Sequence, residues 1–296
     1  MQKIILYYKF TPVQDTEAVM FWQRALCQKL DLKGRIIIAP HGINGTLGGD
    51  IDNLKKYIKE TKSFKSFKGT KFKWSEGGRE DFPRLSVKVR SEIVSFGVAD
   101  KISVNEKGII GGGKHIKPEK LHELIKEKGK EVVFFDGRNA YESEIGRFKA
   151  AVTPKVNHSR DFPKELKSSK YDSLKDKTVV TYCTGGIRCE VLSMLMKQEG
   201  FKDVYQIDGG VVKYGETFKD KGLWRGKLFV FDKRMATEFS SEGKDIGKCI
   251  DCYGATSNYV NCFTKTCNKL ILLCIECSSK GQKYCTSCSI ASASII

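Results

Sequence analysis

A cysteine that precedes a glycine-rich loop is the part of the sequence best suited to covalent chemistry. In the segment TVVTYCTGGIRCE, Cys183 directly follows an apolar run that predicts a buried strand, and a helix is expected to begin near Ile187. The two glycines allow main-chain N–H groups to turn towards the sulfur, and the helix N-terminus adds a positive potential. Such surroundings lower the pKa of a thiol and stabilise an anion carried on its sulfur. The predicted site is the nucleophile Cys183 with an anion-binding loop of Thr184, Gly185, Gly186, Ile187 and Arg188.

The size of this loop narrows the chemistry. Four residues separate Cys183 from Arg188, and this ring is too short to match the phosphate-wrapping loop of cysteine phosphatases. The smaller ring favours a sulfur atom or a flat substrate. The alternative for Cys183 is a buried structural cysteine at the end of a strand. Cys189, in the first turn of the next helix, is interpreted as a packing residue, with resolution of an oxidised Cys183 as its alternative role.

Other candidate residues lie at the end of the preceding predicted strand, EVVFFD. Asp136 and Arg138 are expected to support the loop as structural partners, and Arg147 is a candidate anion contact. The histidines are too dispersed for a facial triad with a carboxylate, and no Rossmann glycine fingerprint suggests a flavin. The histidines are His41, His115, His122 and His158.

Eight of the eleven cysteines lie at or after residue 249 and have the spacing of metal ligands. They form three CxxC pairs and one CxxxxC pair: Cys249/Cys252, Cys274/Cys277, Cys285/Cys288 and Cys262/Cys267. Two such pairs complete a tetrahedral zinc site, so eight thiols suffice for two structural zinc ions. Our interpretation joins Cys249/Cys252 with Cys274/Cys277 and leaves the other four for the second ion. Disulfides and an iron–sulfur cluster are the alternatives.

The predicted elements divide the chain into four parts. Residues 1–96 show the order β-α-β-β-α-β, which favours an α+β ferredoxin-like sandwich with helices on one face of the sheet. Residues 97–130 are interpreted as a connector. Residues 131–230 alternate short apolar strands with helices, as in an α/β unit with a parallel sheet. Residues 231–296 are the cysteine-rich metal-binding segment.

Charge provides the first indication of a partner. The chain has 52 Lys and Arg against 35 Asp and Glu, a net charge of +17, and most of the excess lies in residues 1–230. This favours a polyanionic partner, with a lysine-rich solvated surface as the alternative. A basic sheet face is expected from Lys71 and Lys73, and the aromatics beside the lysines, Phe64, Phe67, Phe72 and Trp74, are either base-stacking or core residues.

Cellular location is expected to be cytoplasmic. No apolar run approaches the length of a membrane span, and the start MQKIILYYKF lacks a cleavage site for secretion. Nothing in the sequence indicates a membrane or an obligate protein partner.

Several longer motifs resemble a known family. FFDGRNAYESEIGRF, TYCTGGIRCE and YQIDGGVVKYGE together resemble a rhodanese domain at residues 131–230. Three further segments, APHGINGTLGG, GKHIKPEKLHELI and GLWRGKLFVFDKRMA, extend the resemblance over nearly the whole chain to the bacterial tRNA uridine(34) hydroxylases.

The resemblance implies an O2-dependent hydroxylation of the wobble uridine of tRNA to 5-hydroxyuridine. It matches Cys183 to a nucleophile described as a cysteine persulfide, and residues 184–188 to the anion-binding loop. The chain departs from the expected pattern at Gly137, where valine is usual, and at Arg147, where histidine is common.

Two other functional classes remain open at this point. One is a sulfurtransferase that delivers the persulfide to an acceptor. The other is a non-enzymatic RNA-binding or redox-sensing zinc protein.

Overall fold

The N-terminal unit is a five-stranded sheet covered by two helices on one face. The computed structural model describes residues 1–267 and 269–293. The sheet order is β4-β1-β3-β2-β5, with β5 parallel to β2 and the other pairs antiparallel. This confirms the ferredoxin-like arrangement, to which β5 is added at one edge. The elements are β1 (Gln2–Phe10), α1 (Thr16–Lys29), β2 (Lys33–Ala39), β3 (Gly42–Asp50), α2 (Ile51–Ser63), β4 (Lys71–Ser75) and β5 (Leu85–Val89).

The alternation of side chains along β1 explains how the two faces of this sheet differ. Ile5 and Tyr7 belong to the core under α1 and α2, while Tyr8 and Phe10 point to the opposite face. Phe10 packs there into an apolar core shared with Phe135 and Val191 of the central unit. The second face of the N-terminal sheet is therefore partly covered by the central unit.

The central unit is a four-stranded parallel sheet with helices on both faces. Its order is β8-β12-β11-β9. Val191 and Leu195 pack on one face, and Leu121, Val211 and Tyr214 pack on the other. The elements are β8 (Lys114–Ile116), α3 (Pro118–Lys128), β9 (Val132–Asp136), α4 (Ala140–Ile145), β10 (Gly146–Phe148), α5 (Phe162–Glu165), β11 (Thr178–Tyr182), α6 (Ile187–Gln198), β12 (Asp203–Ile207), α7 (Gly210–Phe218) and β13 (Trp224–Gly226).

Part of the segment predicted as a connector, residues 97–130, is built into this sheet. The strand β8 pairs with β12 at the sheet edge, so the parallel sheet begins before residue 131. The strand has only three residues, too short for a clear pattern in the sequence. Before β8 the chain forms a small hairpin of β6 (Val104–Asn105) and β7 (Gly108–Ile109). The turn that leads to this hairpin is held by the buried Glu92, whose carboxylate accepts main-chain N–H bonds from Phe96, at 2.7 Å, and Gly97, at 2.8 Å.

The cysteine-rich segment forms short strand pairs and helices around its thiols. Its small core joins Tyr259 and Leu272 to Ile145 of α4, so the segment packs directly on the central unit. No helix in the described part of the chain is long and apolar enough to cross a membrane. The elements are β14 (Leu228–Phe229), β15 (Ala236–Thr237), β16 (Tyr259–Asn261), β17 (Leu270–Leu272), α8 (Ile275–Ser278) and α9 (Thr286–Ala293).

Candidate active site

Cys183 lies at the carboxyl end of the buried strand β11, beneath a loop that wraps its sulfur. The main-chain N–H of Gly186 donates to Cys183 Sγ at 3.1 Å, and the side chain of Cys183 is 1% exposed. Gly186 has a φ of +100°, and a Cβ added there would lie 2.9 Å from the hydroxyl of Tyr8. Glycine is thus required at this position both by conformation and by the close approach of the N-terminal unit. The loop therefore directs the main-chain N–H of Gly186 at the sulfur of Cys183.

The surroundings of Cys183 favour its thiolate. Burial by itself would raise the pKa of the thiol. A hydrogen bond from the Cys189 thiol, the positive charge of Arg188 and main-chain N–H groups of Cys189 and Gly186 outweigh burial and lower the pKa of Cys183 to about 5. The pKa of Cys189 moves in the opposite direction, since burial and its bond to Cys183 both favour its neutral form. At neutral pH the pair therefore consists of a thiolate at Cys183 and a donating thiol at Cys189.

The guanidinium of Arg188 is fixed by a buried carboxylate. Arg188 Nη2 donates to Glu142 Oε2 at 2.8 Å and to Thr184 Oγ1 at 3.2 Å, and Nη1 makes a second bond to Glu142. Glu142 also accepts the main-chain N–H of Asn139 at 3.1 Å, so it caps α4 as well. Glu142 is not among the residues predicted from the sequence, because an N-x-x-E spacing at a helix start predicts only a cap.

Asp136 and Arg138 form a second buried ion pair behind the loop. Arg138 Nε and Nη2 donate to the two oxygens of Asp136 at 2.9 and 2.6 Å, and the hydroxyl of Tyr182 donates to Asp136 at 2.9 Å. Tyr182 directly precedes Cys183, so this pair holds the end of the strand that carries the sulfur. Arg147 is placed elsewhere: it is exposed, donates to the carbonyl of Ser143 at 2.9 Å, and does not line the cavity that contains Cys183.

The N-terminal unit supplies two side chains that sequence reasoning did not connect with the loop. Lys73 Nζ donates to the carbonyl of Gly209 at 3.0 Å and to that of Gly185, inside the loop itself. Burial lowers the pKa of Lys73, and the nearby Cys183 thiolate opposes this shift. The hydroxyl of Tyr8 donates to Glu190 at 3.1 Å. In each of these contacts the two residues are more than a hundred positions apart in the sequence, so no local motif predicts the contact.

The histidines are dispersed, as expected. His115 and His158 line the cavity that contains Cys183. His115 Nε2 is 3.4 Å from a carboxylate oxygen of Glu190, and the bond to Glu190 raises the pKa of His115. His41 stacks on Phe10 and accepts a main-chain N–H. His122 bonds to the hydroxyl of Tyr214.

A cavity of about 1290 Å³ separates the N-terminal sheet from the Cys183 loop. It exceeds the roughly 300–1,000 Å³ of ordinary small-molecule pockets, which suits part of a polymer. Of the aromatics expected near the lysines, Trp74 lines the cavity, while Phe67 and Phe72 belong to the helix-side core. The basic side chains that line the cavity are Lys9, Arg35, Lys68, Lys71, Lys73, Lys107, Arg160, Arg188, Lys219 and Arg234.

The eight terminal cysteines converge on two sites capable of holding a metal ion. In each set the four sulfurs lie within 4.8 Å of one another. The Cys252 and Cys274 sulfurs are 3.7 Å apart, and those of Cys267 and Cys285 are 3.6 Å apart. Zinc with four sulfur ligands requires edges of about 3.8 Å, so both donor sets fit this ion. The grouping is the one expected from the sequence: Cys249, Cys252, Cys274 and Cys277 in one set, and Cys262, Cys267, Cys285 and Cys288 in the other.

Three family models match consecutive parts of the chain. Residues 2–93 match the UPF0176 acylphosphatase-like domain, residues 117–217 the rhodanese-like domain, and residues 225–289 the rhodanese C-terminal model. Among solved structures, a rhodanese-like domain from Anabaena sp. is 16% identical and covers 38% of this chain and 78% of its own, with a TM-score of 0.31. That similarity is too low to support a conclusion.

Curated relatives match over nearly the full length. The relative from Arthrobacter sp. (strain FB24) is 60% identical, and the match covers 95% of this chain and 96% of the relative. That from Corynebacterium urealyticum is 58% identical, covering 97% and 96%, and that from Corynebacterium kroppenstedtii is 55% identical, covering 98% and 99%. All three are named tRNA uridine(34) hydroxylase. At this identity and coverage, the chain belongs to the tRNA uridine(34) hydroxylase family.

Proposed function

We propose that this chain hydroxylates the wobble uridine of tRNA to 5-hydroxyuridine in the cytoplasm, with Cys183 as the reacting residue. The observation that carries the proposal is a thiolate-favouring cysteine loop at the wall of a large basic cavity. The relatives at 55–60% identity, which are named for this reaction, supply the substrate and the position.

The thiolate has a role that uracil chemistry makes concrete. Addition of the Cys183 sulfur, or of a persulfide carried on it, to C6 of uracil moves the C5–C6 electron pair towards the C4 carbonyl. C5 then becomes nucleophilic and accepts oxygen, after which loss of the C5 proton and of the sulfur restores the ring. With O2 as co-substrate, the overall balance requires two protons and two electrons from an external reductant of the dithiol class, which is oxidised to a disulfide, and it releases one water.

The residues around Cys183 divide the remaining tasks. The main-chain N–H groups of the loop stabilise negative charge on the sulfur before attack and after release. Arg188 keeps the positive charge in place because Glu142 holds it with two hydrogen bonds. Asp136 and Arg138 act as positioning residues through the end of β11, whereas Arg147 donates to the carbonyl of Ser143 and is not among the described residues that line the cavity.

Binding of tRNA is assigned to the basic lining of the cavity. Lysine and arginine side chains pair with phosphates, and an anticodon loop presents bases that need less unstacking than bases in a duplex. We propose zinc as the ion of both cysteine sets, because four thiolates with these separations fit tetrahedral zinc. All four ligands come from the protein, so each ion supplies a structural cross-link and no open position.

The decisive experiment is nucleoside mass spectrometry of tRNA from cells that lack this protein. We expect 5-hydroxyuridine derivatives to be absent, to return with the wild-type gene, and to remain absent with Cys183→Ala. Cys27→Ala, which changes a cysteine buried in the N-terminal core, is the matched control and should restore the modification. Full modification with Cys183→Ala would contradict the mechanism.

The same strains separate the two other classes. Robust thiocyanate formation from thiosulfate, with no change in tRNA nucleosides, would identify a sulfurtransferase. If the Cys183→Ser variant complements the deletion strain as well as the wild-type gene does, the chain would be identified as a non-enzymatic binding or redox-sensing protein.

A further inference from the structure

Phe231 is a half-exposed aromatic side chain at the cavity wall, and it has no role in the reaction steps proposed above. It lies in the FVFDKRMA segment, between β14 and β15, and its side chain is 52% exposed. Its ring packs edge-to-face on Phe229, with centroids 5.2 Å apart. Exposing a large apolar group inside a basic cavity has a hydrophobic cost that an aromatic ligand would remove.

The main chain that carries Phe231 is held firmly. Val230 N–H donates to the carbonyl of Met235 at 3.1 Å, which closes the turn. Arg234 Nη1 donates to the carbonyl of Glu76 at 2.8 Å, and Lys233 Nζ to that of Glu80 at 2.8 Å. The turn is thus tied to the N-terminal unit on the far side of the cavity. An aromatic ring on such a turn binds a flat ligand with little loss of conformational entropy.

Phe231 is also coupled to the cysteine loop. The guanidinium carbon of Arg188 lies 5.6 Å from the centroid of the Phe231 ring, a cation–π contact. Arg188 is itself fixed by Glu142 and lowers the pKa of Cys183. The ring and the reactive sulfur therefore line one cavity and share one positively charged neighbour.

We propose that Phe231 is the platform on which the target uracil stacks once it has left the anticodon stack. The inference rests on the proposed function, and it adds the residue that recognises the base. The basic lining holds phosphates, while a single unstacked base needs an exposed π face beside the nucleophile. The Phe231 ring fits this role, because it is half-exposed at the wall of the cavity that Cys183 also lines and it contacts Arg188 of the cysteine loop.

The stacking role can be tested without catalysis by measuring how tightly the protein binds an anticodon stem-loop RNA of about 17 nucleotides. Fluorescence anisotropy at one salt concentration measures this affinity. Two RNAs are compared, roughly matched in length and charge, one with uridine and one with an abasic site at position 34. Phe231→Ala should weaken binding of the uridine RNA about 10-fold and leave the abasic RNA unchanged. Phe231→Tyr and Phe231→Trp should bind as wild type, whereas Phe231→Leu, which keeps an apolar side chain without a π face, should resemble Phe231→Ala.

The matched control is Phe21→Ala. Phe21 is 60% exposed on α1 and has an arginine over its ring, with the Arg24 guanidinium carbon 5.9 Å from the centroid, yet it does not line the cavity. It should not change binding of either RNA. Equal loss on both RNAs in Phe231→Ala, or wild-type binding by Phe231→Leu, would overturn the stacking role. If the wild type shows the base-dependent affinity but never hydroxylates the RNA, the proposed function fails while the stacking inference stands.

Discussion

The acidity of Cys183 arises from neighbours that act on one sulfur atom. Burial opposes ionisation, and the strongest opposing influence is the hydrogen bond from Cys189, followed by the charge of Arg188. Because the resulting pKa is about 5, the thiolate predominates above that pH and is lost as the pH falls through it. Cys189, interpreted from sequence as a packing residue, is indeed buried, but it is also the donor that matters most to Cys183.

Replacing Cys189 should therefore change the reactivity of Cys183. In Cys189→Ala the thiol donor is absent, so we expect the pKa of Cys183 to rise and its alkylation by iodoacetamide to begin at higher pH than in the wild type. Cys189→Ser keeps a donor and should remain close to the wild type. Mass spectrometry of the peptide that contains Cys183, over a pH series, measures the alkylation. Identical profiles for Cys189→Ala and wild type would show that the donor is unimportant.

Removing one partner of the Glu142–Arg188 pair should lower stability strongly, since both side chains are buried and the remaining charge would lack a counterion. Glu142→Gln leaves the Arg188 charge without a counterion, and breaking a buried pair in this way costs about 3–5 kcal/mol. The control is Glu123→Gln, which breaks an exposed pair with Lys120 at 2.7 Å and should cost less than about 1 kcal/mol. Urea unfolding followed by circular dichroism measures both. If both variants lower the free energy of unfolding equally, breaking the buried pair costs no more than breaking the exposed one.

At the scale of elements, the strand–loop–helix that carries Cys183 was predictable, and the elements that cover it were not. A buried β run, two glycines and an apolar helix follow one another in the sequence, so local rules suffice for the loop. Lys73, Tyr8 and Glu142 reach the same site from β4, β1 and α4. Their roles depend on how distant elements pack, and single-sequence patterns do not contain that information. Phe231 was missed for the same reason.

The strand β4 fixes the cysteine loop through Lys73, and removing this contact should lower activity. Lys73→Ala frees the carbonyls of Gly185 and Gly209, and a misplaced nucleophile costs on the order of 10²-fold in rate. Lys55→Ala is the control, because Lys55 on α2 is 61% exposed, lies 3.4 Å from Asp52 through its Nζ and is not among the residues that line the cavity. Single-turnover hydroxylation at saturating RNA compares the two. A normal rate in Lys73→Ala would refute the positioning role.

At the scale of the molecule, the cavity that Cys183 lines is assembled from distant parts of the chain between residues 4 and 239. The N-terminal sheet forms one wall, the cysteine loop the other, and the segment after β14 spans both through Lys233 and Arg234. The net charge of +17 gives the whole assembly an attraction for RNA, as the composition indicated. The convergence of separate parts on one cavity means that a change far from Cys183 can alter its chemistry.

Loss of a metal ion from one of the two cysteine sets would be such a distant change. Leu272 is linked to the set of Cys249, Cys252, Cys274 and Cys277, because its carbonyl accepts the main-chain N–H of Ile250, next to Cys249, at 2.9 Å. Leu272 shares a small core with Tyr259, whose hydroxyl donates to the carbonyl of Tyr141 in α4 at 2.5 Å. Because α4 also carries Glu142, loosening this set should disturb Arg188. We expect two zinc ions per chain by plasma mass spectrometry, and one in either Cys274→Ser or Cys285→Ser.

The two variants should then differ in activity, since Leu272, which shares a core with Ile145 of α4, is two residues from Cys274, whereas Cys285 directly precedes the last described helix, α9. Cys274→Ser should lower hydroxylation and raise the pKa of Cys183, while Cys285→Ser should mainly lower the stability of the chain end. Measuring zinc content, alkylation of Cys183 and 5-hydroxyuridine on the same samples separates these effects. If losing either ion has the same consequence, the path from the first cysteine set through α4 to Arg188 does not operate, and the metal ions act only by holding the segment folded.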